Sequence, residues 1–136
     1  MGVLAVIAAA AASWVFGAVW YMTLSRTWME AAGVPVGPDG KPAGGGSPLP
    51  FLLSALAMLV VAGMLRHLLV MAGIAGAVPA ATTGLGVGLF FIAPWIMINN
   101  AYAMRPFRLT LIDGGYAVIG CGLMGLVLGL FAGGAA

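Results

Sequence analysis

The side chains able to do chemistry gather in one stretch, Asn99 to Tyr116, which joins two long apolar runs and holds Asn99, Asn100, Tyr102, Arg105, Arg108, Asp113 and Tyr116. An unpaired amide costs roughly 2–7 kcal/mol in an apolar medium. Their collection at one hairpin therefore marks either a membrane boundary or a site. Two arrangements are open. Asn99, Asn100, Tyr102, Arg105 and Asp113 can line one mouth of a helix bundle, as a transport site would. Alternatively Arg105 and Asp113, with Asn99 or Asn100, lock into a polar knot that closes the hairpin, and Tyr21 joins them if the first helix ends on the same side. A bland form of the second is a helix cap beside a snorkelling arginine, with no mutual contact.

Covalent chemistry finds little here. The chain has one histidine, His67, one cysteine, Cys121, and three acidic residues, of which Glu30 and Asp39 fall in connecting segments. Paired carboxylates, a nucleophile elbow, a zinc-protease helix and a phosphate-binding glycine loop are all missing from the sequence. No enzyme is expected, and no catalytic residue, metal or cofactor. A lone cysteine forms no disulfide within the chain, so Cys121 reads as a small packing residue. A net charge of +2 without a basic stripe gives no reason to expect nucleic acid as a partner.

The elements that must position these residues are membrane helices. The chain is 63% hydrophobic and 6% charged, against about 25% charged in soluble domains, and its mean hydropathy is +1.16. Several apolar runs are long enough to cross a bilayer. The expected fold is all-α, a single domain over residues 1–136 forming a four-helix up-down-up-down bundle, with spans at about 3–24, 50–72, 79–104 and 108–131. The first run lacks the basic start of a cleaved signal peptide and is longer than a usual signal core. Val6 stands where myristoylation needs Ser or Thr.

Trp20 and Tyr21, near the end of the first helix, suit the aromatic belt of a membrane interface. Thr27 and Glu30 have the spacing of a capping box. Residues 33–49, rich in Gly and Pro with a turn signal at Pro38-Asp39-Gly40, read as a flexible loop outside the bilayer. Arg66, close to the end of the second helix, is placed to snorkel to the headgroups. In the third helix Pro94 predicts a kink, and Gly84 and Gly88 form a small-residue pair. Thr110 and Asp113 look like a capping box opening the fourth helix, which carries a stripe of Gly122, Gly125, Gly129 and Gly133. Lipid gives no hydrophobic drive to helix association, so such stripes act by letting backbones approach.

Gly17-Ala-Val-Trp20-Tyr21, Trp28-Met29, Asn99-Asn100, Arg105-Pro106 and Leu111-Ile112-Asp113-Gly-Gly115-Tyr116 together resemble the small bacterial membrane proteins called DUF1761. The likeness runs from the first helix through the glycine stripe of the fourth. The chain departs from that pattern in its Gly/Pro-rich first loop and in Tyr21-Met22-Thr23, where Tyr-Ser-Pro is commoner. The resemblance implies four helices and a bacterial inner membrane, and brings no activity with it. Arg26, Lys41, Arg105 and Arg108 fall on one side and Arg66 on the other, which predicts periplasmic termini. The functional expectation is a structural or accessory subunit that packs against other membrane proteins, as in a respiratory or photosynthetic complex. The alternative is a homo-oligomeric transporter or channel for a small solute or ion. The partners expected are the lipid bilayer and other membrane subunits, or further copies of the chain.

Overall fold

A computed structural model describes residues 2–134. Helix α1 spans Gly2–Thr23, and the short α2 spans Ser25–Ala32. The third helix, α3, covers Leu49–Met71. Next come α4, Ala77–Val87, and α5, Ala93–Tyr102, joined by a π-helical turn at Gly88–Ile92. Last is α6, Phe107–Gly133. Four stretches are long and apolar enough to cross a membrane: α1, α3, the continuous run Ala77–Tyr102, and α6. The protein is an all-helical, multi-pass membrane protein.

The break in the third span has a covalent cause. Pro94 has no N–H to give to the preceding turn, and the ladder adjusts by widening. Ala93 N–H reaches back to the Gly88 carbonyl, five residues away, and a regular α-helix resumes from Ala93. A π-turn is one of the recognised ways a helix absorbs such a defect.

Helix α6 is the axis of the molecule, touching α1, α3, α4 and α5, while α3 packs mainly on α1. Its seam with α4 is built from glycines. A Cβ on Gly84 would collide with the Cys121 carbonyl, one on Gly125 with that of Ala80, and one on Gly129 with that of Gly76. The Gly88 position likewise abuts Ala117 and Val118, and that of Gly122 abuts the Leu85 side chain. With pairings 76–129, 80–125, 84–121 and 88–117, the two helices run antiparallel. Gly133 differs from the rest of its stripe: among the described residues nothing lies within 4 Å of its Cβ position. The expected packing role therefore stops at Gly129, because α4 begins at Ala77 and offers no chain alongside the last turn of α6.

At this end of the bundle the helices converge on a core of Ala5, Ala9, Ala10, Ala62, Leu65, Leu69, Ala80, Met124 and Leu128. Most other large apolar side chains, Leu52, Leu56, Phe90, Phe91 and Trp95 among them, are exposed. That is the pattern of helices whose outer faces meet lipid rather than water.

Neither proposed capping box forms. Leu24 precedes α2 and Pro106 precedes α6, and neither helix start has a side-chain cap. Thr27 and Thr110 lie inside their helices because each helix begins before the threonine. Between α2 and α3, residues 35–43 close into a small hairpin. Gly37 N–H donates to the Lys41 carbonyl, Ala43 N–H to that of Pro35, and Lys41 N–H to Asp39 Oδ1.

Candidate functional site

At the opposite end from the alanine-rich core, α1, α2 and α6 meet around Asp113. The Tyr21 hydroxyl, in the last turn of α1, donates to Asp113 Oδ1 at 2.7 Å. One residue back on each helix, Trp20 Nε1 donates to the Ile112 carbonyl at 3.0 Å. This second bond gives a partner to an indole N–H that would otherwise be stranded among apolar groups. About one turn further along α6, the Tyr116 hydroxyl donates to the Ser13 carbonyl at 3.0 Å and touches Met58 Sδ at 3.4 Å. The Ser13 hydroxyl itself donates to Met58 Sδ at 3.7 Å.

Five rings frame the carboxylate. Tyr21 meets Tyr116 edge-on at 5.5 Å between centroids, and Trp28 at 6.2 Å. Phe16 stacks on Tyr116 and tilts against Trp20. Sequence spacing explains the arrangement. Ser13, Phe16, Gly17, Trp20 and Tyr21 recur at three and four positions along α1 and share one face. Gly17 makes room for the tyrosine: a Cβ there would lie 2.6 Å from the Tyr116 hydroxyl.

Of the polar residues singled out by sequence, Tyr21, Asp113 and Tyr116 stand together in this cluster. Asn100 makes a separate contact, its Nδ2 donating to Thr110 Oγ1 at 3.2 Å, which ties α5 to α6 across the hairpin. Asn99 points outward, and Tyr102 is 87% exposed. Neither joins the cluster.

The Arg105–Asp113 pair does not form. The Arg105 guanidinium lies over Gly33, the left-handed residue that ends α2, and the ion pair at this end is instead Arg108 Nη2 to Glu30 Oε2, at 3.9 Å. The cause is register. Arg105 belongs to the turn before α6, whereas Asp113 sits in its second turn on the face presented to α1, where Tyr21 reaches it. Arg108–Glu30 is wet, with side chains 52% and 57% exposed, so it contributes at most a few tenths of a kcal/mol up to about 1.

Sequence reasoning passed over Ser13, Phe16, Met58 and the Arg108–Glu30 pair, and gave Thr110 a capping role in place of its bond to Asn100. Ser13 had a signal, being the one hydroxyl inside the alanine-rich half of α1. Met58 had none, since its role depends on how α3 is rotated. No three His, Cys, Asp or Glu side chains among the described residues stand close enough together to hold a metal ion. Cys121 is buried against α4, a packing position. The site thus offers a half-buried carboxylate held by a tyrosine in an aromatic frame.

No curated protein and no solved structure matches the chain. A family model described as "Protein of unknown function (DUF1761)" matches residues 4–129. That match takes in α1, the aromatic frame, the Asn100–Thr110 hairpin and the glycine seam, and the chain therefore belongs to the DUF1761 family.

Proposed function

We propose that this protein is a structural or accessory subunit, a small bundle that packs against other membrane proteins in a bacterial inner membrane and performs no catalysis. The observation that carries the reading is where the polar groups of the spans go. Tyr21, Trp20, Tyr116 and Asn100 all bond to other groups of the bundle, and the α4–α6 seam is closed by glycines at backbone distance. Side chains used this way hold helices together rather than wait for a solute. Outward, only 11% of the residues in the most apolar stretch of α3, and of the Ala77–Tyr102 span, are buried, so long apolar faces remain available for other helices.

In this reading the end bearing Arg26, Lys41, Arg105 and Arg108 faces the cytoplasm, by the positive-inside bias, and both termini face the periplasm. Reporter fusions after Gly134 test the orientation, and activity confined to the cytoplasm would reverse it. For the function itself, the test is gentle extraction followed by native mass measurement. One subunit of different sequence at fixed stoichiometry is the expected result. A closed ring of identical copies would overturn it in favour of a transporter or channel with its pore between protomers, for which the Pro94-broken span is the supporting feature.

A further inference from the structure

The other end of the bundle carries a lone arginine set in an apolar groove. Val3, Val6 and Ile7 of α1 and Leu59 and Gly63 of α3 line it together with Gly2 and Arg66, and this open groove offers about 560 Å³. Leu59, Gly63 and Arg66 are spaced four and three apart, so they share one face of α3. Two glycines keep the groove open. A Cβ on Gly2 would stand 2.7 Å from Arg66 Nη2, so the guanidinium lies directly across the first turn of α1. The Gly63 Cβ position meets only Val6 Cγ1, at 4.0 Å, leaving space where any larger side chain would fill the floor.

Charge and depth identify the occupant. The acidic side chains are held elsewhere: Glu30 in α2 with Arg108, Asp39 in the hairpin loop, and Asp113 on Tyr21. Among the described residues no acidic side chain stands within ion-pair distance of Arg66. Its guanidinium is level with the first turn of α1, at the membrane boundary, and the groove descends from it for about 10 Å along α3 at 1.5 Å per residue. Val3, Ile7 and the neighbouring Val60 and Met64 are exposed on the outer faces of α1 and α3.

We propose that this groove binds an anionic phospholipid, with its phosphate on the Arg66 guanidinium and one acyl chain lying between α1 and α3 over Gly63. A guanidinium offers the forked donor geometry that phosphate oxygens accept, and an arginine close to a helix end carries that charge at headgroup level on its aliphatic stem. The open floor at Gly63 distinguishes this site from simple snorkelling, because snorkelling needs no room for a chain beneath the charge.

The test uses the full chain in detergent, offered phosphatidylglycerol or phosphatidylcholine with the same acyl chains, and reads retained lipid by native mass spectrometry. Phosphatidylglycerol is retained in preference to phosphatidylcholine. Arg66→Gln lowers its retention roughly tenfold, the loss of a charge-assisted contact, while Arg26→Gln, at the other end, leaves it unchanged. Gly63→Leu also lowers retention, with the helical circular dichroism intact because the new side chain extends into the groove. Equal retention by Arg66→Gln and the unaltered protein overturns the site, as does indifference to Gly63→Leu. Release of the lipid by millimolar inorganic phosphate would make free phosphate the ligand and overturn the lipid assignment.

Discussion

Tyr21 and Asp113 lie 92 positions apart and meet at 2.7 Å, hydroxyl to carboxylate, joining the end of α1 to the start of α6. The bond is charge-assisted whenever the carboxylate is ionised, and such bonds contribute about 1.5–3 kcal/mol. Tyr21→Phe removes the hydroxyl and keeps the ring, and should destabilise the detergent-solubilised protein by that amount in a chemical or thermal unfolding measurement. With Asp113→Asn the two losses should be coupled. Arg105→Ala and Asp113→Asn should instead add to within about 0.5 kcal/mol, as non-contacting residues do. Strong Arg105–Asp113 coupling would contradict the register described here.

The glycine seam makes a graded prediction. Gly125→Leu and Gly84→Leu each drive a side chain into a facing carbonyl, and overpacking of this kind costs about 1–3 kcal/mol or more. Gly133→Leu, with open space around it, should leave stability unchanged. Equal effects at Gly125 and Gly133 would mean that the stripe reflects composition rather than contact.

Gly17→Ala tests the aromatic frame from beneath. The added methyl would stand 2.6 Å from the Tyr116 hydroxyl, so the ring must shift and its bond to the Ser13 carbonyl must lengthen. The expected cost is about 1–3 kcal/mol, even though alanine is a better helix former than glycine by about 1 kcal/mol. In the Tyr116→Phe background the penalty should shrink. Tryptophan fluorescence offers a second reading, because Trp20 is held against the same rings through Phe16.

Glu30→Gln should have little effect. Arg108–Glu30 is exposed and long, at 3.9 Å, and pairs of this kind contribute about 0.2–1 kcal/mol and weaken with salt. A change in unfolding midpoint that persists at high ionic strength would show that the pair is better shielded than its exposure indicates.

The four spans were legible in the chain because membrane helices announce themselves by composition and length, with no need to know what they touch. The family was legible for a related reason: its marks, such as Trp20-Tyr21 and Asp113-Gly-Gly115-Tyr116, are local strings. Pairing across the bundle was not. Whether Asp113 meets Arg105 or Tyr21 depends on the residue at which α6 begins and on the rotation of α1. A shift of one residue turns a side chain by about 100°. The missing caps at Thr27 and Thr110 share that origin, since helix starts are the least determined points of a sequence pattern. The π-turn lies between these cases: Pro94 signals a defect, but a kink and a widened turn both answer it, and the local string does not choose between them.

The central place of α6 has a consequence for how the protein is made. In α6, 39% of the residues of its most apolar stretch are buried, against 11% in α3 and in the third span, and α6 leaves the ribosome after those spans. Until Phe107–Gly133 has entered the bilayer, α1 and α3 can pair with each other, but α4 and α5 have almost nothing to hold, and the carboxylate partner of Tyr21 has not been synthesised. Biogenesis should therefore proceed as a hairpin that waits. A chain truncated before α6 would remain a substrate for membrane quality control, and one that has inserted α6 would become resistant to proteolysis in a single step.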